Sequence, residues 1–135
     1  MTISLIGQVG KIKIKRDKDN TQIAIVGTWE NKINKTQDGK EYYGLICKDT
    51  MQYLSNGKYI WRQCGIRETG SWKVSSDGKT IILYERWSKH LQEYLKTTSI
   101  GDMHIRLIEL DRKHFVSLIM DEELGDIEEY YYSIK

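Results

Sequence analysis

The chain has 135 residues, 39% of them hydrophobic and 30% charged, with 9 Tyr, 4 Trp and 11 Gly, which supplies a core and excludes a disordered tail. Single cores organise about 100 to 200 residues, so one domain over residues 1–135 is expected. A net charge of +2 is far from the basic balance of a dedicated nucleic-acid domain, and no apolar run approaches the roughly 18 residues of a membrane-spanning helix.

Residues 1–10 carry neither a basic n-region nor a sustained apolar stretch, so a cytoplasmic, soluble protein is expected. Residues 10–15 then alternate Lys11, Lys13 and Lys15 with Ile12 and Ile14, the period of a half-buried strand. Turn chemistry follows at 17–20 and a returning strand at 23–29, making residues 1–22 an N-terminal hairpin extension.

The next hairpin turns at Asn56-Gly57. A two-residue type I′ turn there pairs Leu54 with Tyr59, Gln52 with Trp61 and Met51 with Arg62. Neither face is then cleanly apolar, which suits either a barrel wall around a semi-polar cavity or an ordinary edge. The same register sets Cys64 opposite Asp49 and Cys47 on the diagonal, roughly 7 Å away. That is beyond a relaxed disulfide, so two reduced, partly buried thiols are expected.

Asp77-Gly78 offers a clearer turn. Opposing Val74 to Ile81 and Trp72 to Leu83 gathers four large apolar residues on one face, and a slip of one residue would scatter them. Residues 88–98, with Leu91, Tyr94 and Leu95 spaced by three and four, predict a short helix or a loop over a barrel mouth. Residues 103–110 and 115–120 flank the polar 111–114 turn as a third hairpin. Residues 127–135 alternate Tyr130, Tyr132 and Ile134 against Glu129, Tyr131 and Ser133, a closing strand.

Sequential hairpins with no proline and no strand–helix alternation predict an all-β fold. Closing the sheet removes its exposed edges, so the expectation is an antiparallel up-and-down β-barrel of eight to ten strands with at most one short helix. An interior of about eight strands is either filled by side chains or holds one small ligand.

Gly27-Thr28-Trp29 and Gly70-Ser71-Trp72, the second followed by the Asp77-Gly78 turn and the 81–84 strand, resemble the repeated G-x-W elements of small bacterial lipocalin-like (calycin-type) barrel domains. The resemblance runs over roughly residues 23–135 and implies an eight-stranded barrel that binds small or apolar ligands or partner proteins. The closing run lacks the Arg that packs over the first-strand Trp in classical lipocalins, and their paired cysteines are not evident. Physically, Gly permits a bend or close approach, and a Trp two residues later plugs the barrel base. Trp29 and Trp72 are therefore expected to be structural.

No GxSxG, P-loop, HExxH or GxGxxG constellation is present, and catalytic residues are not expected. A buried carboxylate at Asp49 or Glu85 is the one option for general-base chemistry, with Arg62 a natural partner. His90, His104 and His114 are scattered and no CxxC occurs, so neither a metal nor a cofactor is expected. The aromatic-basic run Lys58-Tyr59-Ile60-Trp61-Arg62 with Arg67 fits single-strand nucleic-acid binding, but the near-neutral charge disfavours it.

Two functions remain. The first is a non-enzymatic binder of a small apolar or amphipathic molecule, with Trp61, Trp87, Tyr130 and Tyr132 as aromatic walls and Arg62 or Glu85 orienting a polar end. The second follows from charge asymmetry: residues 1–67 hold 12 basic and 6 acidic side chains, residues 68–135 hold 9 and 13. Asp121, Glu122, Glu123, Asp126, Glu128 and Glu129 would then capture a basic protein partner, as an inhibitor or an immunity or counter-defence module does. A solvated loop is the plainer account of that run.

Overall fold

The side-chain segregation around Asp77-Gly78 dictates its pairing. In the computed structural model Trp72 faces Leu83 and Val74 faces Ile81, and all four are buried. The structure describes residues 17–43, 47–94, 101–121 and 125–134. The expected strand at 10–15 lies outside them.

Nine strands follow in chain order: β1 Gly27–Lys35, β2 Glu41–Tyr43, β3 Asp49–Tyr53, β4 Lys58–Gln63, β5 Ile66–Val74, β6 Thr80–Ser88, β7 Met103–Leu110, β8 His114–Asp121 and β9 Gly125–Ile134. All pairings are antiparallel between sequence neighbours, except that β1 pairs with β3 and also with β9. That last ladder closes eight strands into a barrel, with β2 added beside the end of β1. The up-and-down barrel and the third hairpin stand as expected, with β7 and β8 flanking Asp111 to Lys113.

Three local expectations are corrected. Residues 17–25 are not a turn and a strand. Asp17 accepts a hydrogen bond from the Asn20 backbone N at 2.8 Å, capping the helix α1 Lys18–Ile25, because a short carboxylate satisfies the free N–H groups of a first turn. The hairpin extension therefore does not hold for residues 17–22.

The Asn56 hairpin is displaced by one residue. Tyr53 faces Tyr59, Met51 faces Trp61 and Asp49 faces Gln63. The turn is longer than the two-residue form: Gly57 N donates to Leu54 O at 3.1 Å, Leu54 N donates to Lys58 O at 2.8 Å, and Gly57 takes the positive φ of 84° that the turn requires. A one-residue shift exchanges the faces of one strand relative to the other, so Met51 and Tyr53 join Tyr59 and Trp61 inside. It also brings the cysteines together. Cys47 and Cys64 form a disulfide with Cα atoms 5.0 Å apart, in place of the expected free thiols.

Finally, β5 and β6 shift register between Thr69 and Ser71, with Thr69 opposite Trp87. Glu85, at φ 52°, is the extra residue of a β-bulge, and bulges re-aim the side chains beyond them.

The helix α2 Lys89–Tyr94 follows β6, within the stretch where a short helix or a loop was open. The base of the barrel is apolar. Trp29, Tyr53, Trp72, Val74, Ile81, Leu83, Leu107 and Phe115 fill it, and α1 closes it with Ile25. Trp29 Nε1 donates to Ile25 O at 2.8 Å, and Trp72 Nε1 to Leu54 O at 2.9 Å. Each ring thus buries its body and satisfies its one donor, as expected of structural tryptophans.

Candidate functional site

Side chains alternate in and out along a strand, so each inward residue near the base fixes what points inward one pleat on. Trp29 inside places Asn31 inside, Met51 and Tyr53 bring Asp49, Phe115 brings Ser117, and Tyr131 brings Glu129. The ladders then stack these residues together: Asn31 lies opposite Asp49 and Tyr131, and Ser117 lies opposite Glu129. The end of the barrel interior away from α1 is therefore polar.

Asn31 Nδ2 donates to Asp49 Oδ2 at 3.3 Å and to Glu129 Oε2 at 3.1 Å, joining the two carboxylates through one nitrogen. Trp61 Nε1 donates to Asp49 Oδ1 at 2.7 Å. Burial raises the Asp49 carboxyl, opposed by the Trp61 and Asn31 hydrogen bonds. Burial and then the Asp49 charge push Glu129 up to about 7, against hydrogen bonds from Tyr131 and Asn31. Burial first, with Glu129 next, also raises the Tyr53 and Tyr131 hydroxyls.

A third inward acid shows what a settled one looks like. Glu68 accepts from Arg86 Nε at 3.0 Å and Nη2 at 2.9 Å, and from Tyr59 OH at 2.6 Å. Arg86 also donates to Gly101 O at 2.9 Å. Among the described residues no Lys or Arg makes a salt bridge to Asp49 or Glu129.

Beside the pair lies an interior pocket walled by Met51, Tyr53, Trp61, Met103, Ile105, Phe115, Ser117, Glu129 and Tyr131. Its core is about 10 Å³, within about 260 Å³ of free space that includes its mouth. The core alone suits a single water-sized group. Ser117 is 0% exposed, lines this pocket, and its Oγ has no hydrogen-bond partner. Asn31 Oδ1, on a residue 3% exposed, is likewise unsatisfied.

Of the residues singled out from sequence for ligand binding, Trp61 lines the pocket. Arg62 is exposed on the other face of β4. Glu85 is exposed on its bulge and accepts from Ser71 Oγ at 3.0 Å. Trp87, beyond the bulge, is 46% exposed. Tyr130 and Tyr132 occupy the face of β9 opposite to buried Tyr131, with Tyr130 OH donating to Glu128 at 2.9 Å.

The acidic set divides in the same way. Glu122 and Glu123 lie outside the described residues, Asp121 ends β8, and Asp126 and Glu128 line an outer hollow of about 390 Å³ with Lys35, Gln37 and Ile108. Glu129 points into the barrel and leaves that surface. Asp49 does turn inward as the sequence suggested, but its neighbour is Glu129, not Glu85. Asn31, Ser117, Glu129 and Tyr131 were not singled out as ligand contacts. The one signal pointing to any of them is the parity that buries Trp29 and so aims Asn31.

No protein-family model matches the sequence, and no curated protein does. Solved structures do. A lipocalin-like protein from Bacteroides uniformis superposes with a TM-score of 0.55 at 11% identity, covering 82% of this chain and 99% of that one. A protein from Burkholderia xenovorans gives 0.54 at 14% over 100% and 97%, and an uncharacterised protein from Bacteroides eggerthii 0.52 at 13% over 82% and 99%. The chain has the lipocalin-like barrel fold, as its G-x-W elements suggested. At these identities the likeness is one of fold, and fold alone does not fix function.

Proposed function

We propose that this chain is a non-enzymatic binding protein that takes a small, partly apolar molecule at the polar end of its barrel. The observation that carries this is Ser117: a fully buried hydroxyl without a partner, facing a pocket walled, apart from Glu129, by aromatic, thioether and aliphatic side chains. Leaving such a group unpaired costs about 1 to 3 kcal/mol, and a ligand atom would remove that cost. Met51 and Met103, unbranched and adaptable, allow the wall to fit a body larger than the pocket's core. No helix among the described residues is long and apolar enough to cross a membrane. The disulfide supports work in a non-reducing compartment, contrary to the cytoplasmic expectation. The alternative, capture of a basic protein partner, keeps Asp126 and Glu128 but loses Glu129 to the interior.

Benzyl alcohol tests the pocket. Titrated into the protein while the indole N–H resonances of its four tryptophans are followed by NMR, it should move Trp61 saturably and leave Trp29 and Trp72 less affected. Ser117→Val, which fills the core of the pocket, should weaken that binding. A response confined to exposed Trp87, or one that Ser117→Val leaves unaltered, would count against the proposal.

A further inference from the structure

Glu129 and the unpartnered Ser117 Oγ line the pocket, and Asp49 lies behind Glu129, joined to it through Asn31 Nδ2. Trp61 Nε1 and Asn31 Nδ2, the donors beside the carboxylates, are already committed to them, and Asn31 Oδ1 is a further unpaired acceptor. Two acids are thus held close together inside the barrel, and among the described residues neither has a cation. Buried like charges without a counter-ion are costly. The same barrel supplies Glu68 with Arg86, a pairing that no described Lys or Arg provides for Asp49 or Glu129.

We infer that the ligand is a small amphipathic cation: an ammonium group on an apolar or aromatic body, its N–H groups donated to Glu129 and Ser117 Oγ, with the Asp49 charge behind them. This deepens the binding-protein reading and rests on it. An ammonium head is about the size of the one water that the pocket's core admits. The remaining walls suit an organic cation better than a metal ion, since Tyr53, Trp61, Phe115 and Tyr131 line them and aromatic rings attract positive charge. Met51, Met103 and Ile105 supply no hard oxygen ligand. The cluster does not stand on its acids alone, because the unpartnered, fully buried Ser117 hydroxyl faces the same space from a different strand.

Three probes of one shape separate the possibilities: benzylammonium, benzyl alcohol and benzoate, each titrated at mildly alkaline pH with the Trp61 indole resonance as the readout. Benzylammonium should bind at least tenfold more tightly than either of the others. Glu129→Gln should erase most of that preference, lowering benzylammonium affinity about tenfold, the equivalent of about 1.4 kcal/mol, and well beyond any change in benzyl alcohol affinity. Ser117→Ala, which keeps both acids, should lower benzylammonium affinity only a few-fold and shows whether a loss reflects charge or a disturbed fold. Equal binding of benzylammonium and benzyl alcohol at Trp61 would overturn the cation assignment and leave the pocket standing. Failure of all three to move Trp61 would overturn both, and a preference for benzoate would reverse the assignment.

Discussion

Replacing Glu129 by Gln should make the barrel more stable, by a margin that grows above about pH 4.5 and is complete above about pH 7. The carboxyl is pushed from 4.5 up to about 7 by burial and by Asp49. Below about pH 4.5 both folded and unfolded chains carry the proton, and the shift contributes nothing. As pH rises toward 7 the unfolded chain loses its proton first, so folding stability falls, and above about 7 the whole penalty is present. At about 1.4 kcal/mol per pH unit the displacement amounts to about 3 kcal/mol. Partial solvent contact of the residue brings this to about 2 to 3 kcal/mol. The amide of Glu129→Gln retains an oxygen for Asn31 Nδ2 and Tyr131, so near pH 5 the variant should differ little from the parent.

Urea unfolding of both proteins at about pH 5 and about pH 8 measures the difference, with m-values checked for constancy. The account requires the variant's midpoint to exceed the parent's at the higher pH by about 1 M, given slopes of about 1 to 3 kcal/mol/M. A midpoint difference that is the same at both pH values, or a variant less stable than the parent at about pH 8, would refute the claim that an uncompensated carboxylate sits inside.

Other positions yield independent expectations. Reducing the Cys47–Cys64 disulfide, which closes a 17-residue separation, should cost about 3 kcal/mol by loop-closure entropy. Thermal melts with and without reductant would show it, and an unchanged midpoint together with two titratable thiols would contradict the cross-link. Gly70→Ala would set a Cβ 2.7 Å from Tyr59 Cε1 and 2.9 Å from Tyr84 O; because Tyr59 is anchored to Glu68, about 1 to 3 kcal/mol of overpacking should appear in denaturant unfolding. Arg86→Met should destabilise by about 3 to 5 kcal/mol by stranding Glu68, and adding Glu68→Gln should restore a good part of it. Additive losses in that double-mutant cycle would show that the pair is not coupled.

Where one side-chain pattern fixed a register, the sequence was sufficient. Trp72, Val74, Ile81 and Leu83 can share a face in only one alignment, and that pairing formed as read, although its turn spans residues 76–79 with positive φ at Gly78 alone in place of a two-residue type I′ turn at Asp77-Gly78. Around Asn56-Gly57 large residues occur on both faces, so nothing in the side chains penalised the slip. The outcome rested on turn geometry, and with it the disulfide and the orientation of Trp61. The closing strand posed the same difficulty, since three consecutive tyrosines, Tyr130 to Tyr132, leave no contrast between faces. Only the ladder to β1, where Asn31 meets Tyr131, turns Tyr131 and Glu129 inward. Glu85 and Trp87 were misplaced for a different reason: a bulge interrupts the period-two count, and no residue type announces it. The barrel was therefore legible from turns and apolar pairs, while the site depends on long-range registers.

The titration of Glu129 itself, followed through its carboxyl-carbon NMR resonance with and without saturating benzylammonium, bears most directly on a barrel holding unpaired acids for a cation. The free protein should show a midpoint near 7, and the bound cation should pull it down by about one unit or more, the equivalent of a tenfold preference for the ionised site. A midpoint in the ordinary carboxylate range that the cation leaves unmoved would contradict the account.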